Sequence, residues 1–558
     1  MIRGFMMHEI RKEVELDGLW VFQPCEGEGK DKTYKMSVPS CWESHPEFIN
    51  YRGKGYYKKE IQAKGNIRLV FKGVSHTAKV FWNGEIVANH YNAYTPFEVV
   101  IRGAEDQKHE LMVEVDNSFT AESSLHIPND YHTYGGIIRP VAFQVIPDAY
   151  IQYVHFTPFK KNNQWHGKIE VAVENIGEKD QLVYLKTCIS EMEYEFKEKI
   201  AIAGETVLFS EEFEFKDVKN YELEDPVLYL LKTNLYIEKD TKPVDDLIER
   251  IGFREIKIRG KDLYFNDTKV KIKGFNRHED HGHFGSSIPY QAMMADLHQI
   301  LDMGGNAIRT AHYPNDERFL DLCDELGILV WEESHARGLS EEQMRHKNFD
   351  QQSEDSIREM IMNHYNHPSI FVWGILNECA SYTRYGRECY EKQFKQIKSL
   401  DQSRPTTFAS CHYHRDICLD LPDIVSFNIY PGWYEQEPKG SEEFTNNEVY
   451  SWVQRATEGK GKPYIISEIG AGAIYGYRTM RKSKWSEEWQ AETLERQLEA
   501  VLSHEEMTGV FVWQYCDCRV SDEWFYARPR TMNNKGVVDE FRRPKMAYEV
   551  VKRIFHSY

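Results

Sequence analysis

A multidomain fold is predicted: two all-β sandwich units followed by a (β/α)₈ barrel. Three observations carry this. The first half consists of short alternating runs separated by charged turns, and no helix longer than a few turns is needed there. From about Ile256, eight apolar runs alternate with segments of helical periodicity. The C-terminal ends of nearly all these later runs carry polar, titratable residues. A chain of 558 residues accommodates three or four domains at roughly 100–200 residues each. The boundaries are placed at 1–150, 151–255 and 256–558.

In the first unit, Gly65–Gly73 and Ala78–Val87 alternate, the second broken by Asn83-Gly84, a dipeptide suited to tight hairpins. His109–Val115 and Val141–Ile146 continue the pattern. In the second unit, Trp165–Glu174, Leu182–Ile189 and Leu228–Ile237 recur at regular spacing. Barrel strands are expected at Val270–Phe275, Ala307–Arg309, Ile328–Glu332, Ile370–Leu376, Thr406–Ala409, Ile424–Asn428, Tyr464–Glu468 and Val510–Tyr515. Amphipathic helices lie between them; in Asp316–Leu326, residues Phe319, Leu320, Cys323 and Leu326 share one face. A doubly wound sheet is the alternative, but no G-x-G-x-x-G follows an early strand.

Lys and Arg number 69 and Asp and Glu 88, giving a net charge of −19 and a pI near 5.7. Such a surface repels phosphate backbones and anionic lipid, which argues against nucleic-acid and membrane partners. No run approaches the ~18 apolar residues of a membrane helix. Met1–Trp20 is interrupted by Glu9, Arg11, Lys12, Glu13, Glu15 and Asp17, so it lacks the apolar centre of a secretory signal. The ten cysteines are scattered without a C-x-x-C pair. Together these predict a cytoplasmic protein with free thiols. Cys516-x-Cys518 and His412-x-His414 lack further ligands at zinc spacing, and neither metal nor cofactor is expected. Twelve Trp and 33 Tyr suit a sugar site, where aromatic faces serve as platforms.

In such barrels reactive side chains sit at the C-terminal strand ends. Read in order, these ends give Asn276, Arg277, His278 and Glu279; Arg309 and His312; Glu332, Glu333 and Arg337; Asn377 and Glu378; Asn428 and Tyr430; Glu468; and Trp513. Glu378 and Glu468 leave strands four and seven, nearly opposite across the mouth. A single glutamate there is most simply a solvated loop carboxylate. Two together form the pair that glycoside hydrolysis requires, one an acid and the other a nucleophile or base.

The strings WGILNE (Trp373–Glu378), IISEIG (Ile465–Gly470), IRTAHYP (Ile308–Pro314) and KGFNRHED (Lys273–Asp280) resemble glycoside hydrolase family 2. LDGLW (Leu16–Trp20), YTPFEVV (Tyr94–Val100) and YGGIIRPV (Tyr134–Val141) extend the resemblance over essentially the whole chain. It implies a jelly-roll sandwich, an immunoglobulin-like sandwich and a catalytic barrel. It also implies a retaining mechanism with Glu378 as acid/base and Glu468 as nucleophile.

Within the family the chain is most similar to β-glucuronidases. Asn533-Asn534-Lys535-Gly536 is similar to their Asn-x-Lys signature, which holds the substrate carboxylate; an amide and an ammonium can do so by charge-assisted hydrogen bonds. Arg528 or Arg530 assists, and spacing does not choose between them; Arg530 is counted among the substrate-binding residues. Asp130, reaching in from the first domain, and Tyr430 and Tyr434 in FNIYPGWY also match sugar-contacting or nucleophile-orienting positions. His312 and Asn428 join the substrate-binding set. The implied substrates are small uronide conjugates or saccharides ending in a uronic acid, and assembly as a homo-oligomer is left open. An acidic substrate can approach an acidic protein because charges beyond ~8 Å are screened at physiological salt.

The expected mechanism starts with Glu378 protonated, its pKa raised by repulsion from ionised Glu468. Asn377 donates to the 2-hydroxyl, Tyr430 holds the Glu468 rotamer, and Trp513 is either a wall for the sugar or a core residue. One departure stands out: Arg337, where glucuronidases more usually carry small or apolar residues. It either aims donors at the axial 4-hydroxyl of a galacturonide or forms a salt bridge to Glu332, Glu333 or Glu378. The short Leu339–Phe349 segment predicts an open mouth. The alternatives are a strict β-glucuronidase, a neutral-sugar β-galactosidase or β-mannosidase, which needs no cation at Lys535, and a carbohydrate-binding protein with a dead barrel, which the intact Glu378 and Glu468 disfavour.

Overall fold

The computed structural model describes residues 8–27, 29–238, 241–434, 461–523 and 528–558; Met1–Met7 of the segment read for a leader lie outside them. Alternation builds the first unit. Lys54–Phe71 and Phe97–Asp116 pair antiparallel along almost their whole length, and Val141–Ile146 and Thr77–Trp82 flank them in an eight-stranded sheet. One face of these strands, including Ile67, Leu69, Phe71, Val113 and Val141, forms a closed apolar core with Trp20, Trp42 and Tyr57. The hairpin at Asn83-Gly84 forms as expected, both residues having positive φ (51° and 86°).

The second unit packs two sheets face to face. Ala149–Lys161, Gln164–Asn175 and Thr206–Phe215 make one; Gln181–Ile189, Tyr229–Ile237 and, at the edge, Asp245–Ile251 belong to the other. Their inward residues, among them Ile151, Phe156, Val171, Leu185, Leu235 and Ile251, share one core.

The barrel closes from eight parallel strands: Ile272–Asn276, Ala307–Thr310, Leu329–Glu333, Ile370–Ile375, Thr406–Ser410, Val425–Asn428, Tyr464–Ile469 and Gly509–Val512. All eight overlap the runs read from the sequence, with no end shifted by more than three residues. A three-stranded meander (Ile256–Arg259, Asp262–Phe265, Thr268–Lys269) precedes the first strand. Its Leu263 and Phe265 pack with Ile272, Ala307, Leu329, Trp331 and Phe511, filling the end of the barrel opposite the C-terminal strand ends. The helix predicted at Asp316–Leu326 is Glu317–Leu326, capped by Asp316 accepting from the Arg318 amide and ended by Gly327 at φ 66°.

The 117–135 loop of the first unit leans over the barrel mouth and is pinned there. Asn129 and Ser521 exchange hydrogen bonds (3.0 and 3.1 Å), and the Tyr131 hydroxyl meets His335 Nε2 at 2.9 Å. This contact carries Asp130 into the neighbourhood of the barrel residues.

Candidate active site

Four side chains at the centre of the mouth are held by Arg309, at the end of the second strand. Its buried guanidinium donates to both oxygens of Glu333 (2.9 Å each), to Asn276 Oδ1 (2.9 Å), to Asn377 Oδ1 (2.7 Å) and to Glu468 Oε1 (2.9 Å). Five donors in a fixed plane can do this; a lysine could not. Arg309 was visible in the sequence as a strand-end residue, but its role as the common anchor was missed. An arginine inside an apolar strand of an otherwise regular barrel was the available signal.

Glu468, on strand seven, is 4% exposed. Besides Arg309 it accepts from the Tyr430 hydroxyl at 2.5 Å, and His312 Nε2 lies 3.9 Å away. Burial, then the neighbouring Glu378 carboxylate, push its carboxyl up to about 7, while Arg309 and Tyr430 pull the other way. His312 is held well below the ordinary histidine range by burial and then by Arg309, so its ring is neutral. Its Nδ1 lies 2.9 Å from Glu333 Oε1 and 3.3 Å from Arg309 Nη2.

Glu378 follows strand four in a sharp turn: Leu376 and Glu378 both have positive φ (46° and 54°). The turn is held by Glu378 N to Ala409 O (2.9 Å) and by paired backbone bonds between Asn377 and the Ala336–Gly338 segment. Gly374 in the same motif is required by packing, since a Cβ there would collide with the Trp331 ring and approach Glu333. Oε1 of Glu378 accepts from Asn428 Nδ2 (2.9 Å), whose Oδ1 in turn accepts from Ser467 (2.7 Å). Asn377 uses its oxygen on Arg309 and Asn428, while its buried Nδ2 has no partner among the described residues.

Arg337 lies against this group. Its Nη1 donates to Asn129 Oδ1 (3.0 Å) and its Nη2 stands 3.5 Å from Glu378 Oε2. Of the three salt-bridge partners considered, Glu332 is taken by His364 and the Asn315 amide, and Glu333 by Arg309 and His312. Trp513 is 4% exposed and stacks on His312 (centroids 5.0 Å, 17°) with its edge relation to His278, so its ring backs the histidines.

A second cluster forms where the 528–536 segment meets the first unit. Asp130 accepts from Arg528 Nε (2.7 Å) and Nη2 and from Asn533 Nδ2 (3.1 Å). Burial alone would raise the Asp130 carboxyl; the Arg528 bonds and charge outweigh it and hold the group below its usual range. Arg530 turns away. It has φ 65° and its guanidinium pairs with Glu540, so its inclusion in the substrate set is corrected: Arg528 is the arginine beside Asp130 and Asn533. Lys535 is 2% exposed, and its ammonium faces the rings of Tyr430, Trp433 and Tyr434 at 5.3–5.8 Å. Among the described residues no carboxylate lies within ion-pair distance of it. Tyr434 itself is 55% exposed. Trp433 was not singled out from the sequence.

Known proteins resemble this chain along its whole length. Residues 256–557 match the glycosyl hydrolases family 2 TIM barrel domain, and residues 37–160 the glycosyl hydrolase 2 galactose-binding domain-like family. A crystal structure of a GH2 β-galacturonidase from Eisenbergiella tayi bound to galacturonate superposes with a TM-score of 0.97 at 52% identity, covering 100% of this chain and 99% of that one. A β-glucuronidase of Streptococcus agalactiae is 25% identical over 98% of this chain and 97% of its own length. A β-galactosidase of Thermoanaerobacterium thermosulfurigenes is 28% identical over 97% of this chain and 76% of its own. The chain belongs to glycoside hydrolase family 2 and is an O-glycosyl hydrolase.

Proposed function

We propose that this enzyme removes a terminal β-linked hexuronic acid by a retaining double displacement, with galacturonides preferred over glucuronides. The observation that carries the uronide reading is Lys535, a buried ammonium with no carboxylate partner among the described residues. An uncompensated cation in a covered site is costly, and a substrate carboxylate relieves it. Asn533, two residues before Lys535, donates its Nδ2 to Asp130. Relatives named β-glucuronidase and β-galacturonidase support the reading.

In this mechanism Glu378, the more open carboxyl, gives its proton to the leaving oxygen while Glu468 attacks the anomeric carbon. Tyr430 and Arg309 favour the ionised Glu468 and fix its direction. Protonation of Glu378 removes one cause of the raised Glu468 pKa, so the acid form of one group promotes the nucleophilic form of the other. Once Glu468 is esterified, Glu378 takes a proton from water, which releases the sugar. The unpartnered Nδ2 of Asn377 donates to the sugar 2-hydroxyl, a contact that tightens as charge develops on the ring.

Arg337 supports the galacturonide preference. It is within reach of Glu378 and anchored by Asn129, and 3.5 Å from the carboxylate is a loose ion pair that leaves donors for a substrate hydroxyl. The 52%-identical β-galacturonidase supports the same choice.

The test is Lys535→Ala assayed on a nitrophenyl galacturonide and on the matching neutral galactoside. Loss of one bond to a charged group, about 1.5–3 kcal/mol, predicts a 10- to 100-fold fall in kcat/KM for the uronide only. Equal effects on both substrates would contradict an acidic-sugar site.

A further inference from the structure

A guanidinium at the end of a flexible stem can tell two epimers apart only if its direction is fixed. Charge alone does not fix Arg337. Burial works against its cation, and the charges of Glu378, then Asp130, then Glu468 more than offset that and raise its pKa. These carboxylates stand on different elements: after strand four, in the first sandwich and on strand seven. They pull the same cation toward different places. The contact with Glu378 Oε2, at 3.5 Å, is loose, and attraction between charges has little angular preference.

Directed hydrogen bonds come instead from a neutral side chain, Asn129, in the 117–135 loop of the first sandwich. Its Oδ1 accepts from Arg337 Nη1 at 3.0 Å and its Nδ2 donates to the Arg337 carbonyl at 3.4 Å. One amide thus grips both the tip and the main chain of the arginine. Asn129 is itself held: it is 3% exposed, its Oδ1 also accepts from the Asp130 amide (2.9 Å), and its main chain exchanges bonds with Ser521 (3.0 and 3.1 Å). On the other side the chain around Arg337 is bonded to Asn377, the residue before Glu378, through Asn377 N to Ala336 O (3.1 Å) and Gly338 N to Asn377 O (2.8 Å). A planar guanidinium fixed at its root and at Nη1 has its remaining N–H directions fixed as well.

We infer, resting on the specificity role proposed for Arg337, that Asn129 aims that guanidinium, so that a side chain of the first sandwich sets which uronide epimer the barrel favours. Asn129 acts through Arg337 and is a positioning residue. Without its amide, Arg337 is free to close on Glu378 or Asp130, and its donors no longer meet an axial 4-hydroxyl selectively. The two epimers share every other group of the ring, so they are then handled alike. A merely structural Asn129 would change the turnover of both uronides equally.

The experiment measures kcat/KM for nitrophenyl β-galacturonide and β-glucuronide with the full-length wild type, Asn129→Ala, Arg337→Ala and the double variant. Asn129→Ala is expected to shrink the galacturonide preference about ten-fold, as loss of one bond to a charged group would. In the Arg337→Ala background the same substitution should change the preference by less than about two-fold, because residues that act through one contact are not additive. An unchanged preference in Asn129→Ala, or an equal fall in both backgrounds, would overturn the assignment of Asn129 while leaving Arg337 as the specificity residue. A preference that Arg337→Ala itself leaves unchanged would overturn the role of Arg337, and that of Asn129 with it. Should Asn129→Ala fail to fold, Asn129→Ser, which keeps a polar side chain too short to reach Arg337, carries the same expectations.

Discussion

The Tyr430 hydroxyl donates to Glu468 Oε2 at 2.5 Å, from a loop whose rings also surround the Lys535 ammonium. One residue therefore bonds Glu468, the proposed nucleophile, and borders Lys535, the proposed clamp for the acidic group. Because the donor favours the charged form of Glu468, Tyr430→Phe raises the Glu468 pKa. Activity requires Glu468 ionised and is lost as pH falls through that pKa. The acid limb of kcat/KM is thus expected to move to higher pH in Tyr430→Phe, with kcat down roughly 10- to 100-fold at neutral pH. An unmoved limb would show that the phenol does not control the carboxylate.

Glu378→Gln should discriminate between leaving groups. Loss of general acid catalysis costs about 10²–10⁴ in rate for a phenyl-type aglycone, which needs protonation. A dinitrophenyl aglycone, which does not, should show a far smaller loss in its first step, with added azide restoring turnover by attacking the glycosyl enzyme. A 2-fluoro-substituted uronide with that leaving group should label Glu468, as read by peptide mass; a label on another residue would reassign the nucleophile.

Asp130→Ala leaves Arg528 without its carboxylate at a buried junction between two domains. Breaking such a pair costs about 3–5 kcal/mol. A lower denaturation midpoint and a raised KM for uronides are expected together, because Asn533 loses the same partner. The folded-state carboxyl is held below its usual value, so the wild-type contribution is present above about pH 4 and disappears as pH falls through the depressed pKa. The stability gap between wild type and variant should therefore close in acid. A gap independent of pH would mean that packing, not charge, holds the junction.

The barrel was legible because each strand is an apolar run ending in polar residues, and periodicity changes sharply at the first of them. The carboxylates were legible for the same reason: Glu378 and Glu468 terminate runs that otherwise exclude charge. What sequence spacing could not supply was direction. Arg528 and Arg530 are two residues apart, and only the left-handed backbone at Arg530 turns its side chain to Glu540. Arg309 stands at a strand end like several others, and its contacts at the ends of four other strands exist only once the barrel closes. The Asp130 contact with Arg528 joins residues almost 400 positions apart, beyond any local pattern.

The most direct measurement is kcat/KM for paired nitrophenyl β-galacturonide and β-glucuronide, with wild-type enzyme and Arg337→Ala. The expected result is efficient uronide turnover with galacturonide favoured, and a preference that shrinks at least ten-fold when Arg337 is removed. Wild-type preference for glucuronide that Arg337→Ala leaves unchanged would contradict the assigned specificity and make Arg337 a purely structural partner of Asn129 and Glu378.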